Sequence, residues 1–162
     1  MIETTKKYCN SLTEYSRYKT REVKIGDVPL GGNNPIRIQS MTITDTMNTI
    51  ATVEQTIRMV QAGCEYVRIT APSINEAKNL ENIKKELRAR GYTVPLIADI
   101  HFTPNAAELA GRIVEKVRIN PGNYVDKKKF EQFEYTDQEY QEELDRIRER
   151  VTPLVKVCKE YG

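Results

Sequence analysis

The sequence predicts an α/β protein built on four parallel strands, preceded by a small antiparallel hairpin. Apolar strand-like segments alternate with helical patterns, and the strand centres Ile38, Val67, Ile97 and Val117 follow one another at intervals of 29, 30 and 20 residues. Alternation of this kind indicates parallel strands joined by right-handed crossovers. The spacing is typical of βα repeats in either a doubly wound sheet or a barrel.

A short hairpin is predicted ahead of the parallel strands. The segments 23–25 and 28–30 flank a Gly26-Asp27 turn, and this spacing is typical of a hairpin. Gly31 and Gly32 form a second turn. They do not make a dinucleotide-binding fingerprint, because the GxGxxG spacing is missing and a strand follows instead of a helix. Residues 1–20 read as a polar N-terminal arm.

Three strand-helix units follow the hairpin. The segments "IRIQS", "YVRIT" and "VPLIAD" each precede a helical pattern, and "KVRIN" supplies the fourth strand. The predicted helices span residues 50–62, 75–90 and 104–114. The first two are followed by Gly63 and Gly91, as expected where a helix ends in a left-handed C-cap.

The motif "NPGN" predicts a tight turn at the end of the fourth strand. The chain after it is rich in charged residues. Thr136 and Glu139 predict a capping box, and apolar residues then recur at alternating steps of four and three from Tyr140 to Tyr161. This pattern predicts one long amphipathic helix with a solvated charged face. Pro153 also suits the first turn of a restarted helix.

Composition excludes several functional classes. The formal net charge is only +2 with both signs interspersed, so the basic footprint of a nucleic-acid binder is absent. No apolar run approaches the roughly 20 residues that span a bilayer, and no targeting segment is recognisable, so a cytoplasmic protein without a membrane span is expected. Cys9, Cys64 and Cys158 lie far apart and form no zinc or iron-sulfur motif.

Polar side chains gather where the predicted strands end. Ligands of parallel α/β proteins bind at the carboxyl ends of the strands, and those ends read "QSMTITDT", "RITAPS", "ADIHFTPN" and "RINPGN". Because side chains alternate along a strand, one central face is predicted to carry several polar residues. They are Arg68, Asp99, His101, Arg118 and Asn120.

The two arginines favour an anionic ligand. Guanidinium groups match phosphate oxygens in geometry, and two of them converging on one site would repel each other without an anion. The alternative is that each arginine pairs with an internal carboxylate such as Asp99. His101 is then either a donor to the anion, a proton-transfer group or an ordinary polar loop residue, and an Asp-x-His metal pair lacks an evident third ligand.

Taken together, "GGNNPIRIQSMTITDT", "AGCEYVRIT", "PLIADIHF" and "KVRINPGN" closely resemble the N-terminal domain of the 4-hydroxy-3-methylbut-2-enyl diphosphate synthase family of the non-mevalonate isoprenoid pathway. The match covers about residues 21 to 123, and the segment 124–162 resembles the longer form of the family. The resemblance implies a partial TIM-barrel substrate-binding domain over residues 21–123. Residues 124–162 are then the start of a following region.

The family resemblance implies a function as well. Such enzymes reductively convert 2-C-methyl-D-erythritol 2,4-cyclodiphosphate, using a [4Fe-4S] cluster on a separate domain and a ferredoxin or flavodoxin type electron donor. By motif, Arg68, His101 and Arg118 are expected to bind the diphosphate, while Asp99, Asn120 and Asn123 line the same pocket. The family also implies a homo-oligomer.

This sequence departs from the family pattern because later barrel strands and the cluster ligands are missing from it. We therefore expect an N-terminal fragment that is inactive alone and that self-associates through its open sheet edges. Two other classes remain open: another phosphate-binding barrel enzyme, such as a pterin-binding synthase or an aldolase-like protein, and a non-catalytic anion-binding module.

Overall fold

A computed structural model describes residues 11, 13–14, 19–101, 103–125 and 134–161. Most of the predicted polar arm, including Cys9, lies outside these residues. The described part of the chain forms six strands and five helices. In chain order they are β1 (Val23–Ile25), β2 (Val28–Leu30), β3 (Gln39–Met41), α1 (Thr49–Gln61), β4 (Tyr66–Thr70), α2 (Ile74–Ala89), β5 (Leu96–Ile100), α3 (Pro104–Ala110), β6 (Lys116–Ile119), α4 (Pro121–Tyr124) and α5 (Asp137–Tyr161).

The predicted α/β architecture is confirmed. Strands β3, β4, β5 and β6 form one parallel sheet in that order, and β1 pairs with β2 as a separate antiparallel hairpin. Sequential order in a parallel sheet is the pattern of a barrel segment, since each crossover helix returns the chain to the next strand on the same side. Strands β3 and β6 lie at the two edges of this four-stranded sheet.

One face of the sheet packs against the helices and forms the main core. Val67 and Ile69 of β4, with Leu96, Ala98 and Ile100 of β5, are fully buried against this helical layer. The helices contribute apolar residues at helical spacing, and the ones that are completely buried include Val53, Ala77, Leu80, Ile83 and Leu87. Because side chains alternate along a strand, the residues between these apolar ones point away from the helices.

The β1–β2 hairpin covers the opposite face of the sheet near the strand starts. Ile25 packs with Tyr66 and Ile97 in a small second core, and the Tyr66 hydroxyl donates to the Val28 carbonyl at 2.8 Å. Gly26 adopts φ +56, which suits the turn between the two strands. The hairpin therefore closes the strand starts and leaves the strand ends of this face for the polar residues.

Strand β3 is shorter than the sequence predicts. The segment 36–40 reads as a strand, but the strand observed is Gln39–Met41. The residues just before β3 instead bind Glu65. Its carboxylate accepts from the Arg37 guanidinium at 2.8 Å and from the Ile38 N–H at 2.8 Å. This side-chain contact adds to the backbone bonds that the Ile38 carbonyl accepts from the Glu65 and Tyr66 N–H groups at 2.8 and 3.2 Å.

Two further expectations near the last strand are wrong. "NPGN" is a short helix, α4, and not a simple turn, because the Asn120 side chain accepts from the Gly122 N–H and Pro121 suits a first helical position. The third crossover helix ends at Ala110 instead of residue 114, and residues 111–115 are turns and bends that lead into β6.

Helix α5 is continuous from Asp137 to Tyr161, without a restart at Pro153. Proline at this point removes one backbone bond to Glu149, which is exposed, so water can satisfy the freed carbonyl. The predicted capping box is confirmed, since the Glu139 carboxylate accepts from the Thr136 N–H at 2.8 Å and the Thr136 hydroxyl oxygen accepts from the Glu139 N–H at 3.3 Å. Within the described part of the chain, no helix is long and apolar enough to cross a membrane.

Two similar segments, "EYVRIT" at residues 65–70 and "EKVRIN" at residues 115–120, each begin with a glutamate. Glu65 accepts from the Ile38 N–H, and Glu115 accepts from the Leu96 N–H at 2.9 Å, so each glutamate caps the start of the preceding strand. Glu115 also binds Lys84 at 2.9 Å and Arg88 at 3.0 Å. The glutamate that begins each segment therefore stabilises the end of the sheet at which the strands start.

Glu115 is the more buried of the two glutamates, and burial alone would raise its pKa. The Leu96 N–H and Lys84 outweigh that effect and hold the pKa of Glu115 below its ordinary value of 4.5. A carboxyl whose folded pKa is lowered contributes stability above its unfolded pKa. That contribution is lost as the pH falls through the lower, folded pKa.

We predict that Glu115→Gln lowers the free energy of unfolding by about 1–3 kcal/mol at pH 7, because it weakens hydrogen bonds to charged groups in a partly buried site. Urea denaturation measures this. Glu86→Gln is the matched control: it removes an exposed i,i+4 pair with Arg90 and should cost no more than about 0.5 kcal/mol. The difference between the two variants should shrink below pH 4.5; equal losses at pH 7 would contradict this assignment.

Candidate functional site

The polar ends of three neighbouring strands meet on the uncovered part of the sheet. In the parallel register Thr70 of β4 lies beside Asp99 of β5, and Asp99 lies beside Arg118 of β6. Arg68 precedes Thr70 by two residues and therefore lies on the same face. Arg68, Asp99 and Arg118 therefore share one face of the sheet, as the alternation of side chains predicts.

Asp99 is the centre of this site. Its carboxylate is almost fully buried, at 1% exposure, and accepts hydrogen bonds from three side chains. Arg68 Nη2 donates to Oδ2 at 2.6 Å, and Arg118 Nη1 donates to Oδ1 at 3.0 Å. His101 Nε2 lies 3.2 Å from Oδ2. Both oxygens of one carboxylate therefore hold the two arginines in fixed positions.

This geometry realises the alternative in which each arginine pairs with an internal carboxylate. Asp99 does not neutralise both arginines, because two guanidinium groups share its single negative charge. Arg68, Arg118 and Asp99 together keep a net charge of +1. The cluster is therefore a preorganised cationic site whose positive members are held apart by Asp99.

Asp99 remains ionised because of its partners. Burial raises the pKa of its carboxyl, but the hydrogen bond and the charge of Arg68, followed by those of His101, outweigh burial and hold that pKa below its ordinary 3.8. Asp99 therefore stays ionised at neutral pH.

Arg68 has unused hydrogen-bonding capacity. Its Nε is buried, and no described acceptor lies within hydrogen-bond reach of that atom. A buried donor without an acceptor costs about 1–3 kcal/mol, so such a group usually marks a position for a bound water or ligand. The side chains of Arg68 and Arg118 are 25% and 40% exposed, so a small anion can reach them from solvent.

The two asparagines of "NPGN" lie at the end of β6 but are used locally. Asn120 caps α4 through the Gly122 N–H at 3.2 Å, and the Asn123 N–H donates to the Asn120 carbonyl at 3.0 Å. These are the bonds of the β6–α4 junction and not of the Asp99 cluster. Their assignment to the ligand pocket stays a prediction.

A network of hydroxyl and amide groups positions the arginine strand, and the sequence reading missed it. The Thr42 N–H donates to the Arg68 carbonyl at 2.9 Å, and the Thr46 hydroxyl donates to the Thr70 carbonyl at 2.6 Å. Asn79 of α2, which is buried, donates to the Thr46 carbonyl at 2.7 Å. The signal in the sequence is the run of threonines in "MTITDT". Thr42 continues the backbone bonding beyond the end of β3, and the Thr46 hydroxyl takes the place of a ladder N–H.

The described residues do not fit an iron-sulfur cluster. Among them, no group of three or more His, Cys, Asp and Glu side chains could hold a metal ion. Cys64 packs at the margin of the main core, and burial raises the pKa of the Cys158 thiol. Both observations argue against a metal-binding thiolate at these positions.

We predict that Asp99→Asn destabilises the chain by about 1–3 kcal/mol at pH 7, since it leaves two adjacent guanidinium groups without their shared carboxylate. Pyrophosphate at millimolar concentration should restore more stability to this variant than to the unsubstituted chain, because the anion replaces the lost charge. Urea denaturation with and without pyrophosphate measures both effects. An identical response of the two proteins to pyrophosphate would contradict the paired arrangement of the arginines.

Comparison with known proteins shows the family of this chain. The profile of the GcpE TIM-barrel domain matches residues 20–162. A protein of Akkermansia muciniphila named 4-hydroxy-3-methylbut-2-en-1-yl diphosphate synthase (flavodoxin) is 58% identical over 155 residues, which is 96% of this chain and 26% of that protein. Proteins of the same name share 58% identity in Parabacteroides distasonis, covering 91% of the chain and 24% of the relative, and 57% in Leptospira interrogans, covering 91% and 22%.

The chain thus spans about a quarter of the length of these curated relatives. The four parallel strands in sequential order, with their helices on one face, are a portion of a TIM barrel, as the sequence resemblance implied. The match begins just before the β1–β2 hairpin and continues through α5. The chain belongs to the GcpE TIM-barrel domain family.

Proposed function

We propose that this chain supplies the diphosphate-binding side of a 4-hydroxy-3-methylbut-2-enyl diphosphate synthase. The observation that carries the proposal is the pair of arginines on one buried carboxylate, which leaves a net charge of +1 facing solvent. The name shared by the relatives supports the reaction class. The substrate would be 2-C-methyl-D-erythritol 2,4-cyclodiphosphate, with Arg68, His101 and Arg118 as donors to its phosphate oxygens.

The role of the site in the reaction follows from charge. When a carbon-oxygen bond of a cyclic diphosphate breaks, negative charge develops on the departing phosphate oxygen. Fixed guanidinium donors stabilise such charge without reorganising, because Asp99 already holds them in place. In this proposal Asp99 orients the arginines, while Asn120 and Asn123 line the side of the pocket formed by β6 and α4.

The redox half of the reaction is assigned to other parts of the enzyme. A [4Fe-4S] cluster would supply two electrons, and the name of the relatives points to flavodoxin as the donor. We expect the chain alone to bind the substrate without converting it, because its described residues offer no ligand set for a cluster. A cytoplasmic location and a homo-oligomeric assembly are parts of the same proposal.

We predict that the chain binds the cyclodiphosphate in isothermal titration calorimetry, and that Arg68→Ala and Arg118→Ala each weaken binding about tenfold or more. Loss of a hydrogen bond to a charged group costs about 1.5–3 kcal/mol, and each 1.4 kcal/mol is a factor of about ten. Arg90→Ala is the matched control, since it removes one positive charge from an exposed pair at the far end of α2.

Equal binding by all four proteins would overturn the two-arginine site. A site that binds pyrophosphate as tightly as the cyclodiphosphate would favour the alternative of a general anion-binding module. A site that prefers other phosphorylated compounds would favour a different phosphate-handling barrel enzyme. The three outcomes separate the candidate functions on one instrument.

A further inference from the structure

Helix α2 carries one polar residue among its buried positions. Asn79 is only 8% exposed, and the other buried residues of this helix are apolar: Ala77, Leu80, Ile83 and Leu87. Moving an amide group from water into a protein interior costs free energy unless its hydrogen bonds are replaced. The amide of Asn79 is therefore expected to serve a contact that an apolar residue could not make.

The Asn79 amide holds the loop that follows β3, residues 42–48. Its nitrogen donates to the Thr46 carbonyl at 2.7 Å and to the Thr49 hydroxyl at 3.0 Å. Its oxygen accepts from the Asn82 side chain at 2.9 Å. Both ends of the amide are thus satisfied, and the loop is joined to α2 across 33 residues of sequence.

This loop leaves the sheet before β4 ends, and one hydroxyl closes the gap. In a parallel ladder, alternate residues of one strand donate to the next, and the Thr42 N–H donates in this way to the Arg68 carbonyl at 2.9 Å. The Thr44 N–H is next in the series but donates to a side chain of α1 at 3.2 Å. The Thr46 hydroxyl takes its place at the Thr70 carbonyl, at 2.6 Å.

The end of β4 is bound on its other side to the backbone of Asp99. The Ala71 N–H donates to the Asp99 carbonyl at 2.9 Å, and Thr70 lies beside Asp99 in the parallel register. Arg68, two residues before Thr70, binds the Asp99 carboxylate. The bond from the loop therefore acts on a short segment that contacts Asp99 on one side and continues into Arg68 on the other.

We propose that Asn79 is a positioning residue for the anion site. Through Thr46 it fixes the end of β4, and thereby the geometry in which Arg68 and Asp99 meet a ligand. Its side chain lies in the helical layer and acts only through the loop. The effect on ligand affinity rests on the proposed function, whereas the effect on Arg68 in the ligand-free chain does not.

Nuclear magnetic resonance of the arginine Nε–H groups tests the ligand-free effect. Arg68 Nε is buried, so exchange of its proton with water reports how firmly this part of the site is held. Asn79→Leu keeps the size of the side chain without the amide, and Thr46→Val removes the hydroxyl. Each should speed this exchange about threefold or more, since each removes a hydrogen bond from the path. Thr46→Ser keeps the hydroxyl and should behave like the unsubstituted chain.

Ile83→Val is the matched control for stability. Ile83 is completely buried on the same face of α2, four residues further from the strand ends. Its truncation destabilises the core without touching the loop. If Asn79 had only a structural role, Asn79→Leu would lower stability as Ile83→Val does and leave Arg68 exchange unchanged.

Calorimetric titration with pyrophosphate tests the effect on binding in the same proteins. Asn79→Leu and Thr46→Val should each raise the dissociation constant about threefold or more, and Ile83→Val should not change it. The double variant should bind no more weakly than the weaker single variant, because both substitutions interrupt one path and are therefore not additive.

The outcomes separate this proposal from the proposed function. Unchanged Arg68 exchange in both Asn79→Leu and Thr46→Val overturns the positioning role, whether or not an anion binds. Equal acceleration in Ile83→Val overturns it as well, since exchange would then follow stability alone. Faster exchange with unchanged pyrophosphate affinity also overturns it, because the loop would not serve the anion site. Faster exchange in a chain that binds no pyrophosphate supports the control of Arg68 and overturns the diphosphate-binding function. If Asn79→Leu does not fold, the comparison of Thr46→Val with Thr46→Ser decides.

Discussion

The buried carboxylate of Asp99 is the interaction on which the candidate site depends. Arg68 and Arg118 come from β4 and β6, the strands on either side of β5, and would repel each other if no anion lay between them. Asp99 binds both, one on each oxygen, and therefore turns a repulsive pair into a rigid cationic surface. Because one carboxylate neutralises only one guanidinium, the surface keeps the positive charge that an anionic ligand would meet. Positioning and attraction thus come from the same three groups.

The opposite end of the sheet depends on carboxylates as well, in a different role. Glu65 and Glu115 each occupy the first position of one of the segments "EYVRIT" and "EKVRIN" and accept from a backbone N–H at or just before the start of the preceding strand. The arginine of the same segment lies three residues later, near the open end of the strand. A single six-residue pattern therefore contains one residue that fastens the sheet and one that serves the site. This division keeps stability at the strand starts and chemistry at the strand ends, as in other parallel barrels.

Helix α5 shows how far local rules extend without tertiary support. Its capping box, its ion pairs and its apolar spacing all follow from the sequence of the helix itself, and the structure contains the cap and the pairs. Packing decides only where the helix is anchored, which is from Arg150 onward. The apolar residues of α5 recur at the same spacing along its whole length. They are exposed before Arg150 and partly buried after it.

The sequence by itself determined the parallel strand order, the hairpin and the polar edge, because these depend on periodicity and on the alternation of side chains along a strand. It also determined that Arg68, Asp99 and Arg118 share one face. Only the tertiary structure decided that Asp99 is the common acceptor and that Glu115 closes the far end of the sheet. Those outcomes depend on distances between residues far apart in the chain, and no local pattern encodes such distances.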